Sequence, residues 1–397
     1  MKIVVLDGYT ENPGDLSWDA LKELGEVTVY DRTSYEESPL IAERIGDAEI
    51  VIINKTPISK ETIDKCPNIK LIAVLATGYN VVDYNYAKEK DIPVVNVPTY
   101  GTQIVGQYAL GLLLEICSHY GHHDETVKAG KWENNADWCY WDYPMIELYG
   151  KTAGIIGLGR IGQATAKLLN ALDMKVLAYD AYQSEAGAKL AEYVSLDELF
   201  AQSDVIFLHC PLFPETEGMI NKENIAKMKD GVVILNFARD LLVDEEAILT
   251  AIEEGKVKKY VTDFPNTTTA GKKGCIVTPH LGASTQESED NCAVMAVKEI
   301  KDYLENGNIR NSVNFPNCNM GACTQAGRIA ILHKNKKGII GKFSNILGDG
   351  DINITDMTNK SRGDYAYSLL DLESNVTEEI VGQLASLDGV LKVRVIK

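Results

Sequence analysis

Residues 151–180, KTAGIIGLGRIGQATAKLLNALDMKVLAYD, carry the pattern that decides the predicted fold. The apolar run Ala153–Ile156 predicts a buried parallel strand, and it leads into the turn Gly157–Gly162. Beyond the turn, apolar residues recur every three or four positions, which predicts a helix. A second strand pattern, Lys175–Tyr179, then ends in Asp180, eighteen residues after the last glycine of the turn. The stretch therefore predicts a strand, a glycine-rich turn, a helix and a second strand, in that order.

This order of elements favours a dinucleotide-binding unit. Gly157 would allow the tight turn, Gly159 would let the backbone approach a pyrophosphate, and Gly162 would let helix and strand pack closely. The helix N-terminus offers N–H groups and a positive dipole end to the phosphates. Asp180 would accept hydrogen bonds from the ribose hydroxyls and repel a 2′-phosphate, so we expect NAD rather than NADP. Glycine-rich turns also serve as plain connectors, but the spacing of strand, helix and acid favours the dinucleotide site.

The composition of the chain argues against several classes of function. A length of 397 residues is enough for two or three domains, and the net charge of −18 argues against nucleic acid or an anionic membrane as a partner. No apolar run reaches the roughly eighteen residues of a membrane helix. The eight cysteines show no zinc-ligand spacing, so we expect free thiols, no metal and a reducing compartment. Because the chain starts on a strand pattern, KIVVLDG, we expect no signal peptide and a cytoplasmic location.

Strand and helix patterns alternate along most of the chain. Residues 1–99 predict a small parallel sheet covered on both faces, and a long helix is predicted over 102–130. After Asp180 the alternation continues, with Ser195 as a helix N-cap, and predicts a second, larger doubly wound sheet that ends near His280. A further helix with Ser284 as a plausible cap follows, and we expect it to pack on the first domain.

The C-terminal part predicts a separate small unit. Residues 306–327 are rich in Asn, Gly and Cys, which is typical of a linker. The patterns beyond it follow a βαββαβ order, the ferredoxin-like arrangement. The predicted fold class is therefore α/β, with two doubly wound parallel-sheet (Rossmann/flavodoxin-like) domains and a C-terminal ferredoxin-like domain.

Position relative to the strands also selects candidates for chemistry. Ligands bind at the carboxyl ends of strands in such sheets, and His280, Arg239 and Asp263 each follow a strand pattern. His280 is the best candidate for moving a proton, Arg239 could hold a carboxylate with its fork, and Asp263 could accept from the nicotinamide carboxamide. His209 follows another buried strand, where contact with the adenosine and burial in the core are equally favoured. Position alone leaves a structural role open for each of these residues.

Several motifs together carry a family resemblance. They are ATGYNVVD (76–83), GLGRIG (157–162), LHCPLFPETEGMI (208–220), NFARDLLVDEEAI (236–248) and TPHLGAST (278–285). In order and spacing they resemble the D-isomer-specific 2-hydroxyacid dehydrogenase family over residues 1–315. The resemblance implies NAD as cofactor, a small-molecule substrate and four segments. These are a substrate-binding domain (1–99 and 285–315), an NAD-binding Rossmann domain (100–284), a linker (316–327) and an ACT regulatory domain (328–397).

The resemblance also implies roles for individual residues. Arg239 and His280 would be catalytic, with Arg239 on the substrate carboxylate and carbonyl and His280 as proton donor or acceptor. The substrate-binding residues would be Thr77, Gly78 and Tyr79, and Lys55 is the basic residue with a positional reason to meet a phosphorylated substrate. The cofactor-binding residues would be Gly157, Gly159, Arg160, Ile161, Gly162, Asp180, His209, Cys210, Pro211, Ala238 and Asp263.

Two branches of the family are represented in one chain. Residues 1 to about 230, including NPGDLSW (12–18), resemble glycerate dehydrogenase (hydroxypyruvate reductase). Residues from about 231 to 397 resemble the short bacterial D-3-phosphoglycerate dehydrogenase with its ACT domain, as either a recombination or natural divergence would produce. In the tail, His333, Asn335 and Asn353 match residues that bind L-serine in that branch, although Lys337 replaces the usual proline. D-glycerate/hydroxypyruvate is the favoured substrate pair, with 3-phosphoglycerate as the alternative, and a homodimer or homotetramer is expected.

One departure from the family pattern concerns the histidine. The family places a glutamate four or five residues after the Asp263 equivalent, where this chain has Thr267 and Thr268. The missing carboxylate favours a rival hypothesis, in which the chain is a catalytically weak NAD- or serine-binding sensor.

Overall fold

The computed structural model describes residues 1–10 and 17–397. This part of the chain forms two compact units, Met1–Tyr100 together with Gln286–Lys397, and Gly101–Thr285. Most of the predicted motif NPGDLSW lies outside the described residues. Within the described ranges, no helix combines the length and the apolar character needed to cross a bilayer.

The first unit begins with a five-stranded parallel sheet. Its strands are β1 (Lys2–Val5), β2 (Glu26–Val29), β3 (Ile50–Ile53), β4 (Leu71–Val74) and β5 (Val94–Asn96), in the order β2-β1-β3-β4-β5. The helices between them are α1 (Asp19–Lys22), α2 (Pro39–Ile45), α3 (Lys60–Lys65) and α4 (Tyr84–Glu89). All residues of β3 and β4 are buried, which explains their unbroken apolar sequences. This order is the flavodoxin-like one.

The second unit contains a seven-stranded parallel sheet. Its strands are β6 (Thr152–Ile156), β7 (Lys175–Tyr179), β8 (Glu192–Tyr193), β9 (Val205–Leu208), β10 (Val232–Asn236), β11 (Val257–Thr262) and β12 (Cys275–Val277). The helices are α5 (Thr102–Ser118), α6 (Tyr120–Lys128), α7 (Arg160–Asn170), α8 (Glu185–Ala188), α9 (Leu196–Gln202), α10 (Lys222–Lys227) and α11 (Glu245–Glu253). The order β12-β11-β10-β9-β6-β7-β8 reverses direction between β6 and β9. Doubly wound sheets bind ligands at such a switch point.

Three of the helix predictions can be compared with the structure. The predicted helix over 102–130 is wrong as a single element, because His119 adopts a left-handed conformation with φ of 50° and separates α5 from α6. α5 buries one face and α6 buries none of its residues, so packing holds only the first of the two. Ser195 caps α9 as predicted, within a reciprocal capping box with Glu198. Ser284 is not followed directly by the next helix, which begins two residues later at Gln286.

The chain from Gln286 onward returns to the first unit and then forms an antiparallel sheet. The long helix α12 spans Gln286–Asn306. It is followed by β13 (Gly327–Lys334), α13 (Ile339–Asp349), β14 (Ile354–Arg362), β15 (Tyr365–Leu372), α14 (Glu378–Ala385) and β16 (Val390–Val395). The order β14-β15-β13-β16 is the ferredoxin-like one, so the predicted fold class is confirmed for all three sheets.

One apolar core joins this antiparallel sheet to the first parallel sheet. Leu332 and Leu369 of the C-terminal sheet lie in the same buried cluster as Ile300 of α12 and Ile52 of β3. The segment between α12 and β13 also packs, since Phe315 is completely buried in this cluster. The C-terminal sheet therefore shares its hydrophobic stabilisation with the first sheet.

A buried ion pair anchors the C-terminal sheet to the end of α12. Arg328 is fully buried and binds the carboxylate of Asp371 with two N–H groups, one of them at 2.8 Å from Nη2 to Oδ2. Its Nη1 donates to the carbonyl oxygens of Asn306 (3.1 Å) and Gly321 (2.8 Å). The pairing raises the pKa of Arg328, so the guanidinium remains charged.

Replacing Arg328 tests this anchor. Arg328→Ala leaves the Asp371 carboxylate buried and unpaired, and we expect the free energy of unfolding to fall by about 3–5 kcal/mol. The double variant Arg328→Met/Asp371→Leu should recover most of the loss, because no charge is left buried. Lys336→Ala, which breaks an exposed ion pair with Asp388, is the control and should leave the unfolding curve nearly unchanged. Urea titrations with hydrogen exchange at β13 measure the effect; an Arg328→Ala curve that overlays the parent contradicts it.

Candidate active site

The candidate residues of the second unit lie where its parallel strands end. Gly157 follows β6, Asp180 follows β7, and His209 follows β9. Asp263 follows β11, and Arg239 and His280 each stand three residues beyond the end of a strand, β10 and β12 respectively. Because all neighbouring strands are parallel, these positions share one edge of the sheet, around the switch point between β6 and β9.

The three glycines of the turn are explained by different physical constraints. Gly157 has φ of 95°, and a Cβ there would lie 2.5 Å from the backbone nitrogen of Cys210. A Cβ at Gly162 would lie 2.1 Å from the carbonyl oxygen of Gly157, so helix α7 can approach the strand only without a side chain. At Gly159, which precedes α7, no described atom lies within 4 Å of the Cβ position apart from its chain neighbours. The chain itself does not require glycine at 159, and a pyrophosphate approaching the helix N-terminus would.

Asp180 holds the glycine turn, in addition to its predicted contact with the ribose. Its Oδ2 accepts from the Leu158 backbone N–H at 2.7 Å, and its Oδ1 accepts from the Tyr182 N–H at 2.8 Å. Each carboxylate oxygen has a second lone pair, so these bonds are compatible with hydrogen bonds from ribose hydroxyls. The ribose contact stays a prediction, and the bond to the turn is an additional role.

His209 is a neutral histidine with only one of its two ring nitrogens hydrogen-bonded within the described residues. Its Nε2 lies 3.0 Å from the hydroxyl of Thr165, and its ring stacks with the rings of Phe207 and Phe237. Burial lowers the pKa of His209 to about 3. Its Nδ1 is buried and has no hydrogen-bond partner among the described residues, which suits a site completed by a bound cofactor. Burial also raises the pKa of the adjacent Cys210 thiol to about 11, so this cysteine contributes its backbone and shape rather than a reactive thiolate.

A buried asparagine fixes the loop that carries Arg239. Asn236 donates from Nδ2 to the Arg239 carbonyl oxygen (2.8 Å) and accepts at Oδ1 from the Ala238 N–H (3.1 Å). The Arg239 guanidinium donates to the Ala238 carbonyl at 2.6 Å, and its Cζ lies 5.9 Å from the centre of the Phe264 ring. The loop is therefore held in one conformation with the guanidinium beside Phe264.

Asp263 holds the loop that carries His280. It is buried, and it accepts from the Thr278 hydroxyl (2.5 Å), the Leu281 N–H (2.9 Å) and the Gly282 N–H (2.6 Å). His280 has φ of 63°, a left-handed conformation that costs about 1–3 kcal/mol and persists only where its surroundings impose it. These bonds impose it. The nicotinamide contact predicted for Asp263 stays a prediction, and fixing the histidine loop is the role that its hydrogen bonds display.

Phe264 is a site residue that the sequence analysis missed. The His280 ring meets it edge to face with ring centres 5.0 Å apart, and the Arg239 guanidinium lies beside the same ring. One aromatic ring thus brings the predicted proton donor and the predicted carboxylate-binding residue together. Its place directly after Asp263 at the end of β11 is the signal that could have identified it.

The threonines in the glutamate slot stand next to a carboxylate from another element. Asn266 accepts at Oδ1 from the backbone N–H groups of Thr268 and Thr269, both at 3.0 Å, and donates from Nδ2 to Glu245 Oε1 at 2.6 Å. The Thr268 hydroxyl also bonds to Glu245, which stands at the start of α11, and burial raises the pKa of the Glu245 carboxyl. The sequence analysis included Glu245 only within the motif NFARDLLVDEEAI (236–248), so its contact with this loop was not predicted.

The substrate-binding candidates of the first unit follow β3 and β4. Asp7 is buried and accepts from the backbone N–H groups of Asn54 (2.8 Å), Lys55 (2.5 Å) and Thr56 (2.7 Å), so it fixes the segment that carries the exposed Lys55. The Thr77 hydroxyl donates to the Val97 carbonyl at 3.2 Å.

The same loop continues through Gly78 to Tyr79. The Tyr79 ring packs edge to face on Tyr84, with ring centres 5.4 Å apart. Thr77, Gly78 and Tyr79 therefore form a supported loop at the carboxyl end of β4, here called the substrate loop.

A single copy of the chain does not bring the three predicted effector residues together. His333 is buried, with Nδ1 2.9 Å from the Lys334 carbonyl and Nε2 2.9 Å from the Ser368 hydroxyl. Burial lowers the pKa of His333. Asn335 is exposed just beyond β13, whereas Asn353 precedes β14 at the opposite end of the sheet, where Ile354 aligns with Leu372 and through it with Gly327.

Comparisons with known proteins bear on this site. Residues 110–282 match the NAD binding domain of the D-isomer specific 2-hydroxyacid dehydrogenases. A hydroxypyruvate reductase of Blautia hydrogenotrophica is 57% identical over 322 residues, which cover 79% of this chain and 100% of that protein. The chain belongs to the D-isomer specific 2-hydroxyacid dehydrogenase family. It is an NAD-dependent oxidoreductase, which confirms the predicted family, enzyme class and cofactor.

Two further relatives extend the comparison. A D-lactate dehydrogenase from Aquifex aeolicus, solved in complex with NAD and lactic acid, superposes with a TM-score of 0.67 at 28% identity and covers 80% of this chain and 100% of its own. A D-3-phosphoglycerate dehydrogenase of Haemophilus influenzae is 28% identical over 408 residues, covering 100% of this chain and 97% of its own. The second match includes the C-terminal sheet.

The buried histidine makes the stability of the dehydrogenase pH-dependent. The pKa of His209 is lowered from about 6.5 to about 3, so the unfolded state takes up a proton that the folded state does not. The stability that neutral His209 contributes to the folded state is complete above pH 6.5 and is lost as the pH falls towards 3. His209→Gln should therefore reduce the loss of unfolding free energy between pH 6.5 and 5 by about 2 kcal/mol. Urea titrations at several pH values measure this; parallel pH curves for parent and variant contradict it.

Proposed function

We propose that the protein reduces hydroxypyruvate to D-glycerate with NADH and catalyses the reverse oxidation. The observation that carries the proposal is the shared contact of Arg239 and His280 with Phe264, because these two side chains would bind the substrate carboxylate and give the proton. The identity of 57% to a hydroxypyruvate reductase supports this choice of 2-keto acid.

The residues of the chain would divide the work as follows. NADH supplies the hydride when it is bound. The Arg239 guanidinium has five N–H donors, enough to serve the Ala238 carbonyl and a substrate carboxylate together. His280 would give a proton to the substrate carbonyl oxygen as its carbon accepts the hydride, and would take the proton back during oxidation. Asp263 and Asn236 would hold the loops of His280 and Arg239 throughout the reaction. Neither side chain would then have to be ordered when the hydride and the proton are transferred.

The first unit would bind the remainder of the substrate. We propose that the substrate loop offers its backbone N–H groups to the keto acid, as the family resemblance implies. Lys55 stands exposed at the end of β3 and is the residue that would meet an added phosphate. A 3-phosphoglycerate dehydrogenase activity is the second candidate, because the Haemophilus influenzae relative matches the whole chain.

We also propose that residues 328–397 form a regulatory domain that responds to L-serine. Since one copy separates Asn353 from His333 and Asn335, a shared effector site would need a second copy, which favours a homodimer or homotetramer. The eight free cysteines suit a reducing compartment, and we expect the protein to act in the cytoplasm.

A comparison of substrates tests the proposal. Initial rates of NADH oxidation are measured with hydroxypyruvate and with 3-phosphohydroxypyruvate, each with and without L-serine, and then with NADPH. We expect hydroxypyruvate to have a higher kcat/KM than the phosphorylated substrate. We expect NADPH to have a higher KM than NADH, because Asp180 would face the 2′-phosphate. A preference for the phosphorylated substrate would support the second candidate, and NADH binding without turnover of either would support the sensor hypothesis.

Arg239 provides a test of the site itself. Arg239→Ala should lower kcat/KM for hydroxypyruvate by an amount equivalent to about 3–5 kcal/mol, because the substrate carboxylate loses its charged partner. Arg239→Lys should recover only part of this, since an ammonium lacks the planar fork. NADH binding, followed by fluorescence, should be nearly the same in all three proteins. A near-normal kcat/KM for Arg239→Ala would show that the carboxylate binds elsewhere.

A further inference from the structure

Helix α12 carries a buried carboxyl group that the proposed reaction does not use. Glu299 is only 8% exposed, and its Oε1 accepts from the side-chain amide of Asn311 at 2.5 Å. Its Oε2 is buried and has no hydrogen-bond partner among the described residues. Burying a carboxyl group that is half satisfied costs free energy, so its presence calls for a physical reason.

A short chain of hydrogen bonds leads from this carboxyl to the substrate loop. The backbone carbonyl of Asn311 accepts from the backbone N–H of Asn96 at 3.2 Å. Asn96 is the last residue of β5, and its side-chain amide donates to the carbonyl of Thr77 at 2.7 Å. Glu299 is therefore connected to the first residue of the substrate loop through two asparagines.

Asn311 is the sensitive link in this connection. Its φ is 50°, a left-handed conformation that asparagine tolerates better than most residues but that still needs support. The next residues lie along β5, because Ser312 bridges to Val95 and the Val313 N–H donates to the Val94 carbonyl at 2.9 Å. The side-chain bond to Glu299 therefore helps to hold the turn that presents the Asn311 carbonyl to Asn96.

We propose that Glu299 is a positioning residue for the substrate loop and acts through Asn311 and Asn96 on the carbonyl of Thr77. The inference rests on the proposed function, since it takes the loop of Thr77, Gly78 and Tyr79 to bind the keto acid. Glu299 itself does not touch the substrate. Its effect is to set the fraction of molecules whose loop is ready to bind.

The charge state of Glu299 should make this effect pH-dependent. Burial raises the pKa of its carboxyl to about 7, against the opposing influence of the Asn311 bond and of the Arg310 charge. Arg310 is itself paired with Asp302 of α12 at 2.6 Å, and Arg362 of β14 reaches the Ser312 carbonyl at 3.3 Å. Because the pKa is raised, the stabilising contribution is complete at low pH and is lost as the pH rises through about 7. Above that pH the buried charge favours local opening, which hydrates it and releases Asn311.

Two variants and one control test the proposal. Glu299→Gln keeps the shape and removes the titration, while Asn311→Gly keeps the left-handed backbone accessible and removes the amide. Glu305→Gln on the exposed face of α12 is the control. KM for hydroxypyruvate and KM for NADH are measured from pH 6 to 8.5. Over this range, the fold increase in KM for hydroxypyruvate should be at least about three times larger in the parent and the control than in Glu299→Gln. Asn311→Gly should raise it at least about threefold at pH 6, with KM for NADH unchanged.

The outcomes separate this proposal from the proposed function. Equal pH dependence in the parent and Glu299→Gln, together with an unchanged KM in Asn311→Gly, overturns the positioning role and leaves the proposed reaction intact. If the parent does not reduce hydroxypyruvate at any pH, the proposed function fails, and hydrogen exchange over residues 75–80 then decides the inference. Faster exchange in Asn311→Gly than in the parent and Glu305→Gln supports it, and equal exchange overturns it.

Discussion

The parallel direction of the strands in two of the three sheets is the constraint on which the site depends. It collects the loops at the carboxyl ends of the strands, but it does not fix their conformations. In this protein an aspartate near a strand end performs that task repeatedly, by accepting hydrogen bonds from the backbone N–H groups of an adjacent segment. Asp7 holds Lys55 and its neighbours, Asp180 holds the glycine turn at Leu158, and Asp263 holds the loop of His280. The hydrogen bonds of these carboxylates fix the backbone segments that carry or adjoin the proposed site residues.

Local patterns made the strands and the glycine turn predictable. Burial on both faces produces unbroken apolar runs, and the spacing from Gly157 to Asp180 reflects one strand–helix–strand unit. The interruption at His119 was not predictable, because it depends on one residue in a left-handed conformation within a sequence that still favours helix. Phe264 and Glu245 were missed for another reason. Their roles depend on contacts with Arg239, His280 and Thr268, which lie on different elements.

The two family branches seen in the sequence occupy one continuous structure. The relative of 57% identity covers 79% of the chain, a share so large that the match must run across residue 230. A change of resemblance at that point is therefore compatible with a single ancestral dehydrogenase. His333 shows that a matched residue type does not by itself establish a function. It lies buried against Ser368, and its role in effector binding remains a proposal.

The attachment of the C-terminal sheet has a consequence for how α12 ends. The last carbonyl groups of a helix have no partners within it, and here the C-terminal sheet supplies several. Arg394 donates to the Tyr303 carbonyl at 2.9 Å and Arg328 to that of Asn306, while the Tyr367 hydroxyl donates at 2.8 Å to the carbonyl of Gly307, the residue after the helix. Two of these donors are cations, which also offset the negative end of the helix dipole. The C-terminal sheet thus acts as an external cap for the helix that bears Glu299. Truncating the chain before β13 would expose those carbonyls, and we expect the last turn of α12 to fray.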